Sequence, residues 1–229
     1  LINEEKNFNL PRKNLIKSGY LFFDKLGDNF KKEYKAGTIL VAPSWHPSIP
    51  DFYDKYYSKI IDDLLKNQFN VIFRPHPEHY KRFFKNFEKF KKKYSSNINI
   101  NFDDNEDLFE TFEKCETIIT DWSGIAYEFA YSSKRHVIFN EVPIKKLNSN
   151  LIDHQEIFEY KYRDHIGIIC KLDDNILNVI SDLRKKNNDT KKLDFFFKDK
   201  FYNLGETSDV IINNVSNKRN ISHKIFKNS

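Results

Sequence analysis

Apolar runs of four or five residues return along this chain, separated by longer amphipathic stretches, and that alternation limits the architectures open to it. The runs are Leu15–Ser18, Thr38–Ala42, Asn70–Phe73, Ile98–Asn101, Thr117–Thr120, His136–Asn140 and Gly167–Cys170. Helical patterns fill Phe52–Lys66, Glu78–Tyr94, Asp107–Lys114, Gly124–Ser132, Asn175–Lys186 and Ser208–Val215. Strands interleaved with helices of this length predict βαβ units, that is, an α/β fold whose mostly parallel sheet has helices on both faces. Right-handed crossovers then bring the carboxyl ends of the strands to one edge, where such sheets take their ligands. In the pattern 78–94, Phe83, Phe84, Phe87 and Phe90 read as a stripe facing the core, with a solvated back of Lys, Arg and Glu.

The bulk composition narrows the function classes. With 229 residues, 39% hydrophobic and 31% charged, the chain is long and apolar enough to bury a core, which excludes a disordered chain. A net charge of +5 suits an anionic ligand or a membrane surface and falls short of a nucleic-acid footprint. Cys115 and Cys170 lie far apart with no C-x-x-C, so they read as two unpaired thiols in a reducing compartment. No apolar run approaches the ~20 residues of a membrane span. The chain starts at Leu1 and contains no methionine, which reads as a piece of a longer protein. Residues 1–14 read as a linker and 216–229 as a polar tail, leaving 15–215 as the folded domain.

Three strand ends carry the chemistry. In VIFRPHPEH (71–79) an apolar strand runs into Arg74 and His76, with Pro75 and Pro77 on either side of the histidine. The prolines stiffen the loop and disfavour α geometry at the residues before them, so Arg74 and His76 are aimed at low entropic cost. Arg offers a forked donor to phosphate oxygens, and His offers a proton or a hydrogen bond to a diphosphate leaving group. His79, on the first turn of the next helix, reads as a surface residue.

In TIITDWSGIAYEFAY (117–131) a strand leads through Asp121, Ser123 and Gly124 into a helix. Ser123 fits the N-cap position, and Gly124 lets an anion approach amides backed by the helix dipole. A simple helix cap explains the same pattern. VAPSWHP (41–47) repeats the arrangement with Ser44, and Trp45 reads either as a stacking partner for a base or as a wedge packed under the loop, the wedge being favoured. The acidic run FDDNEDLF (102–109) lacks the spacing of a calcium loop and reads as helix capping.

IKSGYLFFDKL, LVAPSWH, VIFRPHP, DLFETFEKCETIITDWSGIAYEFA and LGETSDVIINNV occur in the order, and at about the spacing, of the carboxyl-terminal half of the CDP-glycerol glycerophosphotransferases. The chain resembles that family of teichoic-acid and capsule polymer transferases over approximately residues 15–215. The resemblance implies a Rossmann-like domain forming the carboxyl-terminal, donor-binding half of a GT-B enzyme. It places His76, with Arg74, on the donor's diphosphate, and Ser44, Asp121, Ser123 and Gly124 at the donor phosphates. Gly205 and Ser208 match a small-residue helix start near the donor site. Trp122 and Gly124 depart from the family's usual Tyr and second Ser. The block TDWSGIAYE is also similar to the nucleotide loop of UDP-N-acetylglucosamine 2-epimerases, which makes Glu128 a ribose-binding candidate.

The implied activity is transfer of glycerol phosphate, or a comparable unit, from a CDP-activated donor to a cell-surface polymer or lipid-linked acceptor. The expected setting is the cytoplasmic, inner face of the cell membrane, with peripheral membrane contact, a separate amino-terminal acceptor domain and no nucleic acid. Neither a cofactor nor a metal is expected, since helix dipoles and cationic side chains neutralise the diphosphate. A nucleotide-sugar transferase or epimerase on the same fold is one alternative. A non-catalytic binding module of a capsule assembly complex is another, and a receiver-type signalling domain fits poorly.

Overall fold

The computed structural model describes residues 5–6, 8–26, 30, 33–105, 107–144 and 157–216. The chain divides into two compact units, Leu26–Phe197 and the paired chain ends Leu1–Lys25 with Lys198–Ser229.

The larger unit holds a six-stranded, all-parallel sheet. Its strands are β1 (Lys35–Val41), β2 (Asn70–Phe73), β3 (Ile100–Phe102), β4 (Cys115–Thr120), β5 (Val137–Asn140) and β6 (Gly167–Cys170), arranged in the order β3-β2-β1-β4-β5-β6. This is the Rossmann-like α/β architecture expected from the alternation of runs. The winding reverses between β1 and β4, where Val41 lies beside both Phe73 and Ile119. Strands covered on both faces have no solvated side, which is why β1, β4 and β5 read as near-continuous apolar runs. Ile39, Val41, Val71, Phe73, Ile119 and Ile138 join the core formed with helices Phe52–Lys66, Phe84–Lys93 and Ile176–Lys186. The opposite face meets helices Leu108–Lys114 and Ile125–Ser133, where Phe112, Ala126, Phe129 and Ala130 are buried.

Helix Phe52–Lys66 shows how the sequence selects its own packing. Phe52, Tyr53, Tyr57, Ile61 and Leu64 fall on one face and are at most 1% exposed. Each large apolar side chain so buried contributes about 1.5–3 kcal/mol. The two cysteines are buried and free; burial pushes the Cys115 thiol up to about 12 and the Cys170 thiol up to about 11.

Three expectations change. The pattern 78–94 is two helices, Pro77–Arg82 and Phe84–Lys93, broken at Phe83, whose φ of −128° and ψ of 40° leave the α region. Of its four phenylalanines Phe87 and Phe90 are buried, whereas Phe84 is exposed. His79 is buried, not superficial: its ring stacks on Tyr53 with centroids 3.9 Å apart. Residues 15–18 form no strand. The Ser18 amide turns back to the Ile16 carbonyl at 2.9 Å, and Leu15 and Ile16 stay exposed.

In the smaller unit, Asp24 on helix Leu21–Leu26 binds the start of a helix spanning 207–216. Its carboxylate accepts from the Gly205 amide at 3.1 Å, the Thr207 hydroxyl at 3.0 Å and the Ser208 amide at 3.3 Å. Gly19, at φ 111°, permits this approach, because a Cβ there would lie 2.4 Å from Thr207 Oγ1. The expected tail lies, from residue 217 onward, outside the described residues.

Candidate functional site

The sheet order puts the carboxyl ends of β2, β1 and β4 side by side at one edge. The backbone continues the ladder slightly beyond the strands: the Arg74 amide donates to Val41 O and the Ala42 amide to Ile119 O, both at 2.9 Å. Thr120 Oγ1 donates to Ala42 O at 2.7 Å, so the three loops leave the sheet from fixed positions.

His76 leaves β2 with φ −70° and ψ 133° and caps helix Pro77–Arg82, where Pro77 suits the first helical position. The Glu78 amide donates to His76 Nδ1 at 3.1 Å, and the His76 amide donates to the Tyr53 hydroxyl at 2.8 Å. An Nδ1 that accepts is unprotonated, so in the neutral ring the proton sits on Nε2. Arg74 is turned toward the end of β3. One of its guanidinium nitrogens donates to Asp103 Oδ2 at 2.7 Å and to the Asn105 carbonyl at 2.8 Å.

Asp121 follows β4 and is completely buried. Its Oδ2 accepts from the Ser44 amide at 3.0 Å and the Tyr57 hydroxyl at 2.6 Å, while Oδ1 accepts from the Trp122 amide. Three donors balance this inward carboxylate, and the same bonds fasten the loop after β1 to the loop after β4. Burial, with Asp121 beside it, raises the Tyr57 phenol well above its ordinary value; burial likewise raises Tyr53, so both remain protonated.

Helix Ile125–Ser133 begins one residue later than expected. Gly124, not Ser123, is its N-cap, with φ −58°, and Ser123 contributes its carbonyl as acceptor for the Ala126 amide at 3.2 Å. The amides of Gly124 and Ile125 precede the intrahelical acceptors, and a Cβ built on Gly124 meets nothing within 4 Å. Glu128 follows on the same first turn, half-buried. The neighbouring Trp122 is pinned: its ring stacks parallel on Tyr160 at 4.8 Å, Arg163 lies 4.2 Å from its centroid, and its indole N–H reaches Val142 O at 3.3 Å. Trp45 is half-buried with the Arg82 guanidinium 5.0 Å from its centroid.

The fold therefore gathers Ser44, Arg74, His76, Asp121, Ser123 and Gly124 on three adjacent strand ends. Ser208 belongs to the smaller unit, where its amide meets Asp24. The acidic run caps and braces: Asp107 accepts from the Phe109 amide, and Asp103 holds both Arg74 and Thr111. Among the described residues no cluster of three or more His, Cys, Asp or Glu is placed to hold a metal, and no helix is long and apolar enough to cross a membrane. Sequence reasoning overlooked Tyr53 and Tyr57. Their signal was an i, i+4 pair in the first two turns of a helix that follows a strand-end loop.

Comparison with known proteins finds similarity in both structure and sequence. The structure of Methanocaldococcus jannaschii UDP-GlcNAc 2-epimerase in complex with UDP-GlcNAc and UDP matches with a TM-score of 0.53 at 14% identity, covering 94% of this chain and 58% of that one. A structure of the wall teichoic acid polymerase TagF gives a TM-score of 0.46 at 16% identity, over 90% of this chain and 48% of that one. The minor teichoic acid biosynthesis protein GgaB of Bacillus subtilis (strain 168) is 22% identical over an alignment of 217 residues, with 83% of this chain and 22% of that protein's length covered. The family model for CDP-Glycerol:Poly(glycerophosphate) glycerophosphotransferase matches residues 4–217, and the chain belongs to that family.

Proposed function

We propose that the sheet-bearing unit binds CDP-glycerol, or a close CDP-activated analogue, across the edge formed by β2, β1 and β4. It would present the donor for transfer of glycerol phosphate to a hydroxyl of a cell-surface polymer or lipid-linked acceptor. The observation that carries this reading is the pairing, at one switch point of the sheet, of an oriented histidine with a helix start where the Cβ direction of Gly124 is open.

In this reading the acceptor oxygen attacks the glycerol-bearing phosphorus, the bond to the bridging oxygen breaks, and CMP leaves. The Gly124 and Ile125 amides hold phosphate charge. His76 Nε2–H donates a hydrogen bond to the departing phosphate; protonating Nδ1 as well would break the cap with Glu78, so the neutral ring serves as donor rather than as acid. Asp121 shapes the seat from below, since its inward carboxylate would repel a phosphate it touched. Arg74 braces the histidine loop through Asp103. The acceptor proton passes to a base outside this unit, within a GT-B pair of domains. The exposed lysines 85, 89, 91 and 92 support peripheral contact with an anionic inner membrane face.

Calorimetric titration of CDP-glycerol, CMP, UDP and GDP into the chain tests the reading. Saturable binding of the cytidine ligands in preference to the others is expected. Preference for UDP would move the assignment to a nucleotide-sugar enzyme, and no binding up to millimolar concentration would defeat it.

A further inference from the structure

Tyr53 and Tyr57 occupy successive turns of one buried helix face, and each hydroxyl reaches a different loop of the site. The Tyr53 hydroxyl accepts the His76 amide at 2.8 Å; the Tyr57 hydroxyl donates to Asp121 Oδ2 at 2.6 Å, beside the Ser44 amide at 3.0 Å. Tyr53 is further clamped by His79 at 3.9 Å and Phe73 at 5.2 Å between ring centroids. The end of β5 joins the same helix, Asn140 Nδ2 donating to the Tyr56 carbonyl at 2.9 Å. Both phenols are at most 1% exposed, so neither touches a ligand; they act through the groups they hold.

We propose that Tyr53 and Tyr57 are positioning residues with separable tasks, and the proposal rests on the donor-site reading above. Tyr53 sets the main chain from which the His76 imidazole projects, so it governs the chemical step. Tyr57, through Asp121, sets the loop that carries the Ser123–Ile125 amides, so it governs how tightly the donor is held. One helix thereby tunes leaving-group stabilisation and donor affinity through two hydroxyls one turn apart. A purely architectural role for the pair would lower stability and leave the two kinetic parameters moving together.

The test compares Tyr53→Phe and Tyr57→Phe in the full-length polypeptide, following CMP release from CDP-glycerol and measuring melting temperature in parallel. Tyr53→Phe is expected to lower kcat by about tenfold or more with donor KM within about twofold. Tyr57→Phe is expected to raise donor KM by about tenfold with kcat within about threefold, because small displacements of a site are costly. Asp121→Asn provides a second route to the Tyr57 arm: it should raise KM alike, and the double variant should add little beyond either single change. The ¹⁵N shifts of the His76 ring provide a second route to the Tyr53 arm, moving from the Nε2–H pattern toward a mixture in Tyr53→Phe and staying put in Tyr57→Phe. Parallel changes of kcat and KM in both variants, or unchanged ring shifts, overturn the division of tasks. His76→Ala is the control: if it keeps full activity the donor-site reading fails, whereas an inactive His76→Ala beside a wild-type-like Tyr53→Phe defeats only the tyrosine inference.

Discussion

Glu116 and Arg184 meet as a two-pronged pair, Nε to Oε1 at 2.5 Å and an Nη to Oε2 at 2.9 Å, tying the start of β4 to helix Ile176–Lys186. The carboxylate is 3% exposed, and its Oε2 also accepts the Gly37 amide at 2.8 Å. Burial alone would raise the Glu116 carboxyl; Arg184 and the Gly37 amide together outweigh it and hold the group below its ordinary value. Arg184→Met leaves a buried carboxylate with one donor, and should cost about 2 kcal/mol by urea unfolding at neutral pH. A folded-state value below the unfolded one means this stability is present above the unfolded value of 4.5 and lost as the pH falls below it. The variant should therefore lose less than wild type on acidification.

His79 adds a second, separate pH window. Burial pushes its imidazole from 6.5 down to about 4, with His76 adding to the shift. The unfolded chain then takes up a proton first as pH falls, so stability is lost between pH 6.5 and about 4. His79→Phe keeps an aromatic ring against Tyr53 and removes the titration. Its urea midpoint should be flatter than wild type across that window; an unchanged slope would mean that His79 takes up its proton equally in both states.

Position 76 separates capping from chemistry. Asn is a good N-cap and can accept from the Glu78 amide, so His76→Asn should fold with stability near wild type, while His76→Ala should lose about 1 kcal/mol. Both should lower turnover by about a hundredfold or more and leave donor affinity within about tenfold. Wild-type turnover in His76→Asn would remove the imidazole from the mechanism.

Gly124 offers the converse experiment. Its φ of −58° suits any residue, and its Cβ direction is open. Gly124→Leu should therefore fold, with stability within about 1 kcal/mol of wild type. Bulk above the helix start should weaken CDP-glycerol binding by about tenfold or more, measured by calorimetry. Unchanged affinity would show that the ligand passes elsewhere.

Much of the fold was legible because doubly covered strands advertise themselves: ILVA and VIF are apolar along their length, and TIIT and VIFN are apolar except at their ends. Helix Phe52–Lys66 was legible in full from its period. Helix Lys191–Lys200 was not, since three consecutive phenylalanines between lysines carry no helical stripe; Phe196 and Phe197 are buried and Phe195 remains exposed. Phe158–Lys161 and Arg163–Ile166 are single turns, too short for any period. At the site, the sequence located Asp121 at a strand end but carried no information on which way its carboxylate turns. That direction is decided by Tyr57, 64 positions earlier, and the burial of His79 is decided similarly by Tyr53. Local pattern reports where the backbone stops; distant partners decide where its side chains point.

The reversal of strand order between β1 and β4 has an evolutionary corollary. In open sheets of this kind a ligand crevice arises at the reversal because the chain winds away from its centre in two directions, so the opening comes with the topology and requires no hole in the packed interior. Loops bordering it can lengthen, shorten or change residues while the layers beneath stay intact. Such a scaffold can exchange one ligand for another by editing its rim.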